Sequence, residues 1–167
     1  MRERHVLQGE RRDREFAAFV AGAAGRLLHA ATLLTAEDPD DNPRARRLLT
    51  HALAHTYAAW DRLRGEDPYD LARRQLAARF ARGAWRRAGG LHRARPHPGS
   101  PLAALGPQER LVVVLRLHEG VAEEQTAALL GLSSERVRVL CVRATATLLR
   151  RPAAPPAAVG GVKAVPS

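Results

Sequence analysis

The sequence predicts an all-α protein, two small helical domains joined by a flexible linker. Three observations carry this. Hydrophobic residues make up 46% of the 167 residues but aromatics only 4%, so the core must be built from Leu, Val and Ala, which suits packed helices better than strands. Apolar residues recur at three- and four-residue steps over long stretches. Between two such stretches lies AGGLHRARPHPGSP (88–101), dominated by Gly, Pro and His and without any apolar period.

The elements follow in order. From Glu15 to Leu34, the residues Phe16, Phe19, Val20, Ala23, Leu27, Ala30 and Leu34 form one buried stripe of an amphipathic helix. An acidic loop, Glu37 to Asp41, precedes Asn42 and Pro43, an N-cap followed by the residue favoured at the first helical position. The second helix runs to about Leu63, burying Leu49, Leu53, Thr56, Trp60 and Leu63, and Gly65 breaks it. Asp67-Pro68 starts a third, which continues to about Arg87. The first domain is thus 13–87 and the linker 88–101. The second domain, 102–151, holds helices near Gln108–His118, Glu123–Leu130 and Ser133–Arg150. The tail from 152 to 167, rich in Pro, Ala and Gly, is expected to be disordered.

Charge narrows the partners. The net charge is +10 and the isoelectric point about 11.4, a balance that favours a polyanion. Lys163 is the only lysine beside abundant Arg, Ala, Gly and Pro, the signature of a high-GC coding sequence, so charge argues for nucleic acid only together with a motif. Cys141 is the only cysteine, which excludes an intrachain disulfide; on its helix it reads as a small buried side chain. Met1 to Arg14 lacks the apolar centre of a signal peptide, and no run has the roughly 18 apolar residues of a membrane span. A cytoplasmic protein without a membrane partner is expected.

The motif lies between Glu123 and Leu140. A helix-turn-helix needs a small residue where its second helix crosses its first, and Ala127 supplies it. Four residues later the turn takes a left-handed conformation, and Gly131 stands there. Val137 and Leu140 have the spacing for the inner side of the second helix, with Leu129, Leu130 and Leu132 completing a small core. Ser133 or Ser134 caps that helix. An ordinary helical hairpin with a glycine turn is the alternative. In a helix-turn-helix the second helix enters the major groove by its N-terminal half, so Ser133, Ser134, Glu135, Arg136 and Val139 face bases or nearby phosphates, while Arg138 and Arg143 are phosphate contacts.

The order of parts resembles the extracytoplasmic-function group of bacterial RNA polymerase sigma factors. FAAFVAGAAGRLLHAATLLT is similar to the first helix of their promoter-melting domain; HALAHTYAAWDRL and DPYDLARRQLAARFARGAWRR are similar to the stretch that reads the minus-ten element. LGPQERLVVVLRLHEGVAEEQTAALLGLSSERVRVLCVRA resembles their minus-thirty-five domain. The resemblance covers about Asp13 to Arg151. It implies a factor that binds core RNA polymerase at its clamp, recognises promoter DNA and helps to open it, with an anti-sigma factor or other regulatory protein as a further partner. It implies minus-ten contacts among Tyr57, Trp60, Arg73, Arg74, Arg79 and Trp85, since bases stack on aromatic and guanidinium planes. Trp60 also falls on the buried stripe.

It places the clamp contact on ARRLLTHA (45–52), with Arg46, Arg47, Thr50 and His51. Here the chain departs from the family, which is acidic and carries Gln at this place. Ala78 stands where the minus-ten helix usually has Asn, and Arg138, Val139 and Leu140 where Lys-Ser-Arg is usual. An exposed Val139 suits a thymine methyl or a protein interface.

Other chemistries find no support. His51 and His55 have zinc-pair spacing, but Ala52 replaces the Glu of a zinc protease and no third ligand is evident. Asp38, Asp40 and Asn42 begin like a calcium loop, yet Pro43 and Leu49 occupy its Gly and Glu positions. No P-loop, GxGxxG or GxSxG occurs, so neither a cofactor nor an enzyme is expected. Two readings stay open: a working sigma factor, or a sigma-like DNA-binding regulator that acts without core polymerase or through a protein partner.

Overall fold

The computed structural model describes residues 2–63, 65–87 and 95–150, with side chains from residue 7 and, in the third helix, to residue 84. Six helices form and no strand occurs among the described residues: α1 (Arg2–Thr35), α2 (Pro43–Ala59), α3 (Pro68–Arg87), α4 (Pro107–Val113), α5 (Glu123–Leu130) and α6 (Ser134–Leu149). Part of the expected linker (88–94) and the tail (152–167) lie outside the described residues.

α1 is longer than its apolar stripe. Its first turns are charged, and they are held in part by side chains: Arg11 Nε lies 2.7 Å from Glu15 Oε1 one turn on. Arg12 reaches across to α2, where Nη2 donates to Tyr57 Oη at 2.6 Å and the guanidinium sits over the Tyr57 ring. Phe16, Phe19, Tyr57 and Trp60 form an aromatic cluster with centroids 5.0–5.9 Å apart, Phe16 meeting Tyr57 and Trp60 edge-on and the other pairs tilted. By length and composition the stretch 7–35 of α1 could cross a bilayer. Here its apolar side is instead covered by the other helices, with Leu27 and Leu34 fully buried.

α2 begins where Asn42-Pro43 places it, but the cap is not the expected one. The Asn42 amide donates to the Pro39 carbonyl and accepts from Arg46 Nε. The orphan amides of Arg44 and Ala45 go to the buried carboxylate of Glu37, at 3.0 and 2.8 Å, and the Arg44 guanidinium joins it at 2.9 Å. Burial works to raise the Glu37 pKa. The Arg44 amide and guanidinium, the Ala45 amide and the Thr35 hydroxyl together hold it below the ordinary value. A depressed carboxyl stabilises the fold above its unfolded pKa, near 4.3, and that contribution is lost as pH falls through the folded value. The first turn of α2 is therefore expected to lose amide-exchange protection as pH falls below the ordinary carboxylate range, and Glu37→Gln should weaken that protection already at pH 7.

Between α1 and α2 the chain turns through Ala36 at φ +51, a conformation that costs a non-glycine residue about 1 kcal/mol. The Ala36 carbonyl there accepts the His97 amide at 2.7 Å, and the His97 ring reaches Asp38 Oδ2 at 3.2 Å. Ser100, Leu102 and Leu105 follow, all buried. The second half of the expected linker is thus packed against the first helix group. The carbonyl of the α1 terminus and the acid of the following loop give it partners.

α4 continues through a π turn, Val114–His118, closed by Glu119 N donating to Val114 O at 2.9 Å. Arg110 to Leu115 are six consecutive buried residues, so this helix is covered on every side, by α1 and α3 as well as by α5 and α6. One apolar cluster therefore runs from Leu34, Leu76 and Phe80 through Leu111–Leu115 to Val137 and Leu140. The two expected helix groups share a core.

Candidate nucleic-acid interface

The turn between α5 and α6 is built as its residues require. Gly131 adopts φ +65, ψ 35, its amide closes on the Ala127 and Ala128 carbonyls, and Leu132 N donates back to Ala127 O at 2.9 Å. Ala127 is 5% exposed at the crossing, and Val137, Leu140 and Ala144 are buried on the inner side of α6. Of the two serines, Ser133 is the cap: its Oγ accepts the Arg136 amide at 3.1 Å.

The opposite side of α6 is open. Ser133, Glu135, Arg136, Arg138, Val139 and Arg143 are exposed and Ser134 is half-buried. Two of the arginines are already engaged. Arg138 Nη2 lies 2.8 Å from Glu123 Oε1, and Arg143 Nε lies 3.0 Å from Glu109 Oε1. Both are thereby oriented by carboxylates of α5 and α4, whereas Arg136 makes no ion pair among the described residues. Val142, 66% exposed beside Val139 at 51%, belongs to the same surface. Sequence reasoning missed it, although its three-residue step from Val139 is the signal that would have found it.

The expected minus-ten residues do not form one patch. Tyr57 is half-buried, with its hydroxyl donating to Asp13 and accepting from Arg12. Arg74 pairs with Glu66 at 3.0 Å. Arg79 is exposed and meets the His51 ring at 3.0 Å, so it lies beside Arg47 and His51 on the outer side of α2 and α3. Arg46 and Arg47 are both exposed, and Thr50 is exposed with its hydroxyl donating to the Arg46 carbonyl. The Trp85 side chain lies outside the described residues.

Arg73 is the exception in the other direction. It is only 16% exposed, paired to Asp70 at 2.8 Å and 3.8 Å from the fully buried carboxylate of Glu119. Glu119 follows the π turn and gathers groups from α1 and α3: Arg26 Nη2 at 3.2 Å and the Tyr69 hydroxyl, which donates at 3.0 Å. Burial, and then the Glu119 charge, push the Tyr69 hydroxyl well above its ordinary pKa, so it stays a donor at any physiological pH. His118 alongside is held below its ordinary value, chiefly by burial, with His29 and Arg26 adding to the effect.

Comparison with known proteins agrees with this geometry. Residues 102–148 match the sigma-70 region 4 family. The RNA polymerase sigma-E factor of Streptomyces coelicolor is 33% identical over 153 residues, covering 80% of this chain and 84% of the relative. That of Streptomyces avermitilis is 33% identical over the same length, covering 80% and 83%. No solved structure matches. With the α5–α6 turn, the cap and the open face of α6 all in place, the chain belongs to the RNA polymerase sigma factors, of the extracytoplasmic-function type of high-GC bacteria.

Proposed function

We propose that this protein binds core RNA polymerase in the cytoplasm, directs it to specific promoters and starts transcription, without catalysing a reaction itself. The observation that carries the reading is the open side of α6, a serine-capped helix presenting Arg136, Val139 and Arg143 above a buried inner stripe. In this reading 102–151 contacts the minus-thirty-five element through Ser133, Ser134, Arg136, Arg138, Val139 and Arg143. Residues 13–87 contact polymerase and the minus-ten strand, with Tyr57, Arg73, Arg74 and Arg79 for DNA and Arg46, Arg47, Thr50 and His51 for the clamp. Phosphate contacts by this set make binding fall steeply with salt.

A second reading, a DNA-binding regulator that has left the polymerase, is favoured by one observation. Arg46 and Arg47 are exposed and basic where the family is acidic. The test is co-elution of the full chain with core polymerase on gel filtration, followed by run-off transcription. Replacing Arg46 with Glu and Arg47 with Asp is expected to tighten core binding by roughly 1 kcal/mol, on the scale of rim charge pairs. If neither version co-elutes while DNA binding persists, the second reading holds. Tight core binding by the unmodified chain that the substitution abolishes would contradict both.

A further inference from the structure

A cavity of about 430 Å³ lies where the two helix groups meet, and its charge is not balanced. Its walls come from the end of α1 (Thr35), the start of α2 (Arg44), α3 (Phe80, Ala84), the segment around Arg95, and the start of α4 with Leu105 and Arg110. The volume is in the range of small-molecule sites, and domain junctions are where such sites concentrate. Three guanidiniums line it. Arg44 is matched by Glu37. Arg95 is exposed at the rim and makes no ion pair among the described residues. Arg110 is 7% exposed, and its Nε and Nη1 are buried with no hydrogen-bond partner.

An arginine so buried is almost always paired, because a desolvated charge without a counter-ion is among the costliest arrangements in a fold. No carboxylate among the described residues pairs with Arg110. Its neighbour Glu109 is committed to the Gly106 amide and to Arg143. Burial, and second the charge of Arg44, push the Arg110 pKa down to about 10, which still leaves it cationic at neutral pH. The local surplus is two positive charges beside an apolar wall of Phe80, Ala84 and Leu105.

We propose that this cavity binds a small organic phosphate monoester, its dianionic head between Arg110 and Arg95 and its apolar part against Phe80, Ala84 and Leu105. Charge selects the class: a monoester carries about −1.5 to −2 at neutral pH, matching the surplus. Guanidinium groups donate charge-assisted hydrogen bonds to phosphate oxygens, which would give the buried Arg110 cation the counter-charge it lacks. A ligand there touches α1, α2 and α3 on one side and α4 on the other, so it holds the two groups docked. The site stands apart from the promoter-binding reading and does not depend on it.

The experiment uses the full chain and phenyl phosphate, with inorganic phosphate in parallel, followed by calorimetric titration and thermal melts at constant ionic strength. The unmodified chain is expected to bind one phenyl phosphate and to melt higher in its presence, with inorganic phosphate binding at least tenfold more weakly. Arg110→Leu should abolish binding, and without ligand should melt no lower than the unmodified chain. Arg95→Gln, at an exposed position where folding is not at stake, should weaken binding at least tenfold. Arg136→Gln on α6 should leave it unchanged. Absence of binding by the unmodified chain, equal binding by Arg95→Gln, or loss on Arg136→Gln, which would place the phosphate on the DNA-facing helix, each overturns the proposal.

Discussion

Ala127→Glu should unfold the α5–α6 unit, at a cost of roughly 3–5 kcal/mol, comparable to the whole stability of a small domain. Ala127 is 5% exposed at the helix crossing, and its carbonyl takes the Gly131 and Leu132 amides that close the turn. A carboxylate there either stays in the crossing, desolvated, or pushes the helices apart. Gly131→Val tests the same turn by another route. A Cβ on Gly131 would meet nothing within 4 Å, so its cost comes only from a β-branched residue at φ +65, about 1–3 kcal/mol. Gly131→Asn, which tolerates that conformation, should cost least. Circular dichroism melts and amide exchange across 123–149 check the series. Any order of cost other than Ala127→Glu first, Gly131→Val second and Gly131→Asn last would contradict this account of the turn.

Glu119→Ala should act on the whole chain. Its fully buried carboxylate is the acceptor shared by Arg26, Tyr69 and Arg73, which all belong to the other helix group. Removing one member of a buried pair costs about 3–5 kcal/mol, and because Arg26 is 55% exposed and can rehydrate, roughly 2–4 kcal/mol is expected here. Glu119→Gln keeps an acceptor for Tyr69 but no charge, and should cost about half as much. The readout is a lower melting temperature, together with a larger radius of gyration in small-angle scattering as the two groups part. An unchanged radius of gyration with the melt lowered would mean that Glu119 stabilises the fold without holding the two groups together.

These two sites divide what was legible in the sequence from what was not. Ala127, Gly131, Val137 and Leu140 obey constraints that act within about fifteen residues: a close crossing, a left-handed turn, a helical inner stripe. Local chemistry of that kind is written in residue type and spacing, and so are the all-α class and the starts of α2 and α3 at Asn42-Pro43 and Asp67-Pro68. The Glu37 cap is a near case. Its acid was visible in the loop, but only the fold of the turn through Ala36 brings it to the amides seven and eight residues on. Glu119, Arg110 and the arginines they bear on are different. A carboxylate after a π turn finds Arg26 ninety-three residues away, and Arg110 finds no acid among the described residues. Periodicity marks which residues are covered but not what covers them. The partner of a buried charge is therefore decided by the packing of α4 and its π turn against α1 and α3, an interaction at long separation that no local pattern records.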